Sequence, residues 1–389
     1  GDELGEGMHL MFDLIITGGV VIDGTGKPAF PASVGILDGK IAAIGNLNAQ
    51  QARKSLEAGG LVVAPGFVDI HSHSDFTILI NPRAESKIRQ GITTEVTGNC
   101  GISAGPLTEA HRQELLDFTS MTLGVSGSEA IPWTRPAYGD YLRHLRGLSL
   151  GINLAPLVGH TTLRIAAMGT AHRQPAEEEM IVMEAWVDRS LAEGAFGLSA
   201  GLEYPPASYS SMQELIRLGR IVARHDSLFA CHVRSEDLRV FESIAEAAQI
   251  GERSGCQVEI SHLKLGGVSN WGKAPKLLAY LESVRQGEVD IGWDQYPYVA
   301  WGSSLIDYLP HWVAADGRDA LVERLRDSTT RQSIRAEIEE AVRQNQHPLC
   351  ASPWDTVRIA LVDSRPNQPL EGRSLADIAA EQNLSLIHI

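Results

Sequence analysis

Apolar and polar positions alternate with a period near two along the first part of the chain. DLIITGGVVID, ASVGILDG and KIAAIG each read as a strand, and the Gly-Gly and Asp-Gly dipeptides beside them supply turns. This pattern predicts a small antiparallel unit over residues 1–64. From Leu61 onward the texture changes to short apolar runs, each followed by a stretch of helical period, which predicts βα units and a parallel sheet. Ser211 stands three residues before Glu214, a capping-box pattern that opens the helix QELIRLGRIVARH ahead of the strand LFACHV. Pro175 precedes the helix EEEMIVMEAWVDRSLAE, which Gly194 stops before AFGLSAG. DLRVFESIAEAAQIGERSG then leads into QVEISHL, and PKLLAYLESVRQG into VDIGWDQYPY.

The ends of these strands fall at Gly201, His232, His262 and about Gln295, at spacings of 31, 30 and 33 residues. That interval fits one strand, one helix and two loops. Counting backward gives LVVAPGFVDIHSH as the first strand, GITTEVTGN as the second and INLAPLVGH as the third. The total over residues 65–300 is seven, and residues 301–389 add helical stretches and SPWDTVRIALVDS but no further unit of this kind. A (β/α)8 TIM-type barrel needs eight strands, so the pattern predicts an α/β barrel whose eighth strand is missing from this chain.

Charge narrows the partners. With 33 basic and 48 acidic residues the net charge is -15, and no run of Lys or Arg interrupts it, which argues against nucleic acid and anionic membrane surfaces. No stretch approaches the roughly 20 apolar residues that cross a bilayer, and the opening GDELGEGMHLMFD is acidic where a signal peptide is basic. The four cysteines are too scattered for a disulfide framework, so reduced thiols in a cytoplasmic setting are expected. The chain opens with Gly, and Met8 or Met11 is the expected natural start.

Candidate chemistry gathers at the strand ends. His71 and His73 flank Ser72 at the end of the first strand, and residues two apart on a strand share a face. His232 and His262 hold the equivalent places on the fifth and sixth strands. The carboxyl ends of barrel strands form one mouth, so four imidazoles converge there in the manner of a metal site. Cys100, in the Gly-rich turn TGNCG after the second strand, joins them as a thiolate donor. Cys231 precedes His232 and points to the opposite face, while Cys256 and Cys350 lie away from the strand ends. His160 ends the third strand, where a loop role is expected; His225 sits at a helix end, and His347 and His388 lie in polar contexts.

GFVDIHSHSD, GITTEVTGNCGISAGP, GLSAGLEYPP, CHVRSE, ISHLK and QYPY together resemble the N-acyl-D-amino-acid deacylase (D-aminoacylase) family of the amidohydrolase superfamily. The resemblance runs from about Asp13 to about Ala380. It implies a distorted (β/α)8 barrel with a small β-sandwich domain built from both chain ends, and one or two zinc ions. It implies that Cys100, His232 and His262 hold a tightly bound Zn2+, and that His71 and His73 hold a weaker second one. Tyr204, Lys264 and Tyr296 match positions that bind the substrate's α-carboxylate. The implied reaction is hydrolysis of a small-molecule N-acyl-D-amino acid to a carboxylate and a free D-amino acid. The implied general base, an Asp in a Ser-Asp-Gly context, has no counterpart here: neither Asp355 nor Asp363 has that setting, and the base is expected beyond residue 389. SLIHI departs from the family pattern, so a truncated and inactive member is the expectation for the chain itself.

Two other readings stand beside this one. A cyclic-amide hydrolase of the dihydroorotase or hydantoinase kind shares the His-x-His strand, but commonly bridges its metals with a carboxylated Lys on the fourth strand, and AFGLSAG has none. A metal-binding but catalytically inactive fragment is the other. Cys100 as a nucleophile activated by His is a weaker idea, because four histidines argue for metal. The segment from Val299 to Leu309 carries Asp307 and neither Lys nor Arg, which points to neutral or apolar amino-acid side chains in the substrate.

Overall fold

A computed structural model describes residues 11–48, 51–123, 137–287, 289–362 and 364–384. Met8, Asp363, His388 and the SLIHI segment lie outside the described residues. The chain divides into two compact units, Gly1–Phe67 and Val68–Ile389.

The first unit holds β1 (Leu14–Thr17), β2 (Val20–Val21), β3 (Phe30–Pro31), β4 (Ser33–Leu37), β5 (Lys40–Gly45), β6 (Ser55–Glu57) and β7 (Val62–Val63). They form two small sheets, β5-β4-β1-β6 and β3-β2-β7. The hairpin neighbours β1, β4 and β5 pair antiparallel, as the alternation predicts. The unit is nevertheless mixed rather than antiparallel throughout, because β6 runs parallel to β1 and β7 parallel to β2. Phe12, Ile15, Val21, Val34 and Ala58 are buried apolar residues within it, and Gly35 lies so close to the Phe12 ring that a Cβ there would sit 2.7 Å from it.

The stretch LVVAPGFVDIHSH is not one strand. Pro65 offers no amide to a ladder, and the chain breaks around it: Val62–Val63 completes the first unit as β7, while β8 (Phe67–Asp69) enters the second. The third strand also divides. β10 (Asn153–Pro156) pairs with β9 (Ile92–Thr97), and β11 (Val158–Gly159) pairs with β12 (Gly197–Gly201). Leu157, between the two halves, gives its amide to Thr97 at 2.8 Å and so keeps the chain against β9.

The second unit's strands fall into a three-stranded sheet, β10-β9-β8, and a five-stranded parallel sheet running β11, β12, β13 (Leu228–His232), β14 (Gln257–Ile260) and β15 (Ile291–Trp293). Among the described residues the outer strands β8 and β15 are not paired with one another. Between successive strands run the helices Glu177–Glu193, Met212–Arg224, Val240–Ser254 and Ala274–Arg285. Ser211 caps its helix, its hydroxyl accepting the Glu214 amide at 3.2 Å, and Gly194 ends the preceding helix at φ +112°, a left-handed turn that glycine makes freely. Leu198 and Ala200, Phe229 and Cys231, and Val258 and Ile260 alternate along three adjacent strands into one core with Leu215, Leu218 and Ile244 of the helices. The intervening positions turn the other way, where the polar chemistry sits.

Candidate metal centre

The mouth at the carboxyl ends of these strands is built less by strand alternation than by the backbone just past it. β14 ends at Ile260, whose side chain belongs to the helix-facing core. Strict alternation would send His262 the same way. Instead His262 takes φ +36°, a left-handed conformation uncommon for a residue with a side chain, and its ring turns into the mouth. Lys264 therefore follows in a loop and not on a strand, yet its ammonium reaches the same place, 3.1 Å from His262 Nδ1. Cys100 is likewise left-handed, at φ +53°, between Gly98 and Gly101. A Cβ on Gly98 would lie 2.1 Å from the Leu157 carbonyl and one on Gly101 2.5 Å from Thr161 Oγ1, so both glycines are needed for the turn to pack this tightly.

These turns bring distant donors together. Cys100 Sγ lies 3.3 Å from His71 Nε2 and 3.4 Å from His262 Nε2. The His71 ring is 5.5 Å from that of His73 and 4.8 Å from that of His262, and His232 stands 4.5 Å from His262, centroid to centroid. Two groups of donors have atoms within 4.8 Å of one another: His71, Cys100 and His262, and His232, Glu236 and His262. All five expected metal ligands thus lie in one neighbourhood, but the tightest grouping around Cys100 takes His71 as its third member where the resemblance implies His232.

Carboxylates that sequence reasoning passed over hold this cluster. Asp294 Oδ2 lies 3.0 Å from His71 Nδ1, and its Oδ1 accepts the His262 amide at 2.6 Å. Glu236 Oε1 lies 2.8 Å from His262 Nδ1, and its Oε2 pairs with Lys264. Glu203 Oε2 lies 2.8 Å from His232 Nε2. Burial by itself would raise the Glu236 carboxyl, but His232, His262 and Lys264 outweigh it and hold the group down at about 2. Burial, reinforced by Glu236 and Asp237, instead pushes Glu203 up to about 8. A signal for two of them was present: Glu236 follows His232 by four residues, and the fourth strand-end landmark, about Gln295, adjoins Asp294.

The donor set fits a metal ion. Burial first, and neighbouring cationic groups after it, lower His232 and His262 to about 4 and His73 to about 3, so these rings are neutral at pH 7, the form that ligates. Burial pushes the Cys100 thiol well above its ordinary value, and the Glu236 charge adds to this, so a thiolate there requires a cation beside it. His71 and His262 each present one nitrogen to Cys100 and place the other on a carboxylate, the arrangement that orients metal-bound imidazoles. His73 Nδ1 is buried without a hydrogen-bond partner.

Above the cluster opens a cavity of about 280 Å³ lined by Tyr204, His232, His262, Lys264, Tyr296 and Trp301 among others. The three residues expected to bind a carboxylate therefore line the same cavity. Lys264 Nζ sits 5.6 Å over the Tyr296 ring, and Tyr296 OH is buried with no partner. His160, expected in a loop, is instead fully buried as the first residue of the helix His160–Met168, where its Nε2 lies 2.7 Å from Glu214 beside Arg164. Of the four cysteines, only Cys100 reaches the cluster; Cys231 and Cys256 are buried in the apolar core.

Comparison with known proteins identifies the family. The model of the amidohydrolase family matches residues 55–357. D-aminoacylase from Alcaligenes xylosoxydans xylosoxydans is 38% identical over 295 residues, 76% of this chain and 59% of its own. The N-acyl-D-glutamate deacylase of the same organism is 40% identical over 299 residues, 77% of this chain and again 59% of its own. The chain thus spans about three fifths of the length of these curated relatives. A crystal structure of D-aminoacylase superposes with a TM-score of 0.75 at 33% identity, covering 97% of this chain and 68% of the other. N-acyl-D-glutamate deacylase from Bordetella bronchiseptica, complexed with zinc and a phosphonate inhibitor, superposes equally well, at TM-score 0.75 and 32% identity over 97% of this chain and 68% of its own. The chain belongs to the amidohydrolase family, among the relatives of D-aminoacylase.

Proposed function

We propose that the protein is a zinc-dependent hydrolase of the amide bond in N-acyl-D-amino acids, built on a (β/α) barrel whose strands β8 to β15 surround the site. The observation that carries this reading is the cluster His71, Cys100 and His262 facing a cavity whose wall presents Lys264, Tyr204 and Tyr296. The names of the relatives support the D configuration and the linear amide. Zinc held at Cys100, His262 and His71, with His232 and His73 beside them, would supply Lewis acidity at the acyl carbonyl and acidify water there.

The chain's own residues do the rest of the binding. The Lys264 ammonium and the unpartnered Tyr296 hydroxyl are the groups for the substrate's α-carboxylate, a charge-assisted pairing that fixes the amide over the histidine cluster. Glu236, which lines the same cavity, pairs with Lys264 and holds its ammonium in place. Asp307, which burial raises to about 6, is still mostly ionised at pH 7, and a second anion brought beside it would be repelled. Neutral or apolar substrates are favoured accordingly. The proton acceptor implied by the resemblance, an Asp in a Ser-Asp-Gly context, is not among the described residues.

The test is hydrolysis of N-acetyl-D-methionine, its L enantiomer and N-acetyl-D-glutamate by the zinc-loaded chain and by a form matching its curated relatives in length. Chelator-sensitive cleavage of the D-methionine compound, with the highest kcat/KM of the three, is expected from the longer form. Preference for the L enantiomer, or no cleavage at either length, overturns the function; preference for the glutamate compound overturns the selectivity alone.

A further inference from the structure

We infer that Asp294 is the positioning residue that joins the two halves of the cluster, setting the His71 tautomer and the His262 backbone with one carboxylate. The inference rests on the reading of His71, Cys100 and His262 as metal ligands. Asp294 follows directly on β15, is 7% exposed, and has its own amide tied to the Ile260 carbonyl at 3.1 Å. Its place is therefore fixed by the ladder between β14 and β15 before its side chain does anything.

Each carboxylate oxygen then has a separate task. Oδ2 faces His71 Nδ1 at 3.0 Å. A carboxylate only accepts, so Nδ1 must carry a proton, and in the neutral ring, the form that ligates, Nε2, 3.3 Å from Cys100 Sγ, then presents its lone pair. Oδ1 accepts the amide of His262 at 2.6 Å. That amide belongs to the residue at φ +36°, and the short bond holds the left-handed turn that aims Nε2 of His262 at the same sulfur, 3.4 Å away. The two rings meet at Cys100 from chain positions 191 residues apart, and Asp294 is in hydrogen-bond contact with both residues. Glu236 holds the other face of His262 but does not reach His71, so it cannot substitute.

Asp294→Asn separates these roles. The amide oxygen can still accept from His262, but its NH2 meets the protonated Nδ1 of His71 donor against donor. His71 is then driven to the other tautomer, and Nε2 is capped by a proton. Loss of such an outer partner typically weakens metal binding about 10–100-fold. The experiment titrates metal-free wild type and Asp294→Asn with Co2+, following the thiolate-to-metal charge-transfer band, beside far-UV circular dichroism and metal-free melting. The expected result is unchanged secondary structure and about a 10–100-fold higher Kd in the variant, with Asp294→Glu recovering part of the loss. Equal Kd in wild type and Asp294→Asn overturns this inference alone, whereas a wild type that binds no Co2+ overturns the metal reading and this one with it. A measurement on the wild type covers a variant that does not fold: two-bond 1H–15N correlation spectra at pH 8 without metal should show His71 protonated at Nδ1, assigned by its loss in His71→Gln. Protonation at Nε2 instead would contradict the role given to Asp294.

Discussion

Cys100 shows how much of this site depends on single atoms. Its thiol is buried among acidic groups that keep it protonated, so the sulfur becomes a donor only when a cation offsets that field. Cys100→Ala should therefore remove tightly bound zinc altogether, while Cys256→Ala, in the apolar core, should leave the zinc content per folded molecule unchanged; metal analysis after dialysis decides between them. Tyr296 permits a finer test. Its hydroxyl has no partner, so Tyr296→Phe takes nothing from the free protein but one hydrogen bond from the bound carboxylate, and KM should rise about 3–10-fold with kcat little changed. The histidines stood out at the inferred strand ends and Cys100 in its Gly-rich turn. Asp294, Glu236 and Glu203 were not singled out, although the first two lie beside strand-end landmarks, because an acidic residue in a loop ordinarily faces water, and only the fold shows which carboxylates are enclosed with imidazoles.

Single elements were read well wherever one period governs them, and less well where a polar side chain serves a distant partner. The helix Met212–Arg224 starts at its predicted cap, but the Glu214 carboxylate is engaged by Arg164 and His160. Burial raises the Glu214 carboxyl, yet His160 and Arg164 prevail and leave it below its ordinary value. Glu214→Ala would strand a fully buried guanidinium and should cost about 3–5 kcal/mol in urea unfolding. The interior of β14 behaves in the opposite sense. Glu259 points toward Gly292 of β15, where burial, with the Asp294 charge behind it, pushes its carboxyl up to about 7. A folded-state pKa above the unfolded one means that the protonated group favours the fold. Its contribution is present in full below about pH 4.5 and is lost as pH rises through about 7. Glu259→Gln should flatten the decline in melting temperature between pH 5 and pH 8 relative to wild type, and an unchanged slope would remove Glu259 from that role.

Across the whole molecule, a metal ion at the cluster would be a long-range cross-link as well as part of a candidate catalytic centre. Its donors follow β8, β9 and β14, and residues 71, 100 and 262 are far enough apart in sequence that the unfolded chain has no ready-made site. Four strand ends stood out by their interval and three earlier strands by their apolar runs, but the two breaks were not legible, since Pro65 and Leu157 divide runs read as single strands. The break at Leu157 leaves the second unit's strands in two sheets, and the described contacts that tie the mouth together come largely from side chains and turns. An ion held there should therefore stabilise the unit by mass action. Free Zn2+ at 100 times its Kd contributes about 2.7 kcal/mol. With an unfolding entropy of about 2 cal/mol/K per residue over a unit of this size, the melting temperature should rise about 4 °C. Differential scanning calorimetry of wild type with chelator and with Zn2+ measures the shift, and Cys100→Ala should abolish it. Cys231→Ala provides the contrast: its side chain fills the layer between β13 and the helices, so the variant should melt lower in both conditions yet keep the zinc-dependent rise. A rise of the same size in Cys100→Ala would mean that the stabilising ion sits elsewhere and that the cluster is not the metal centre.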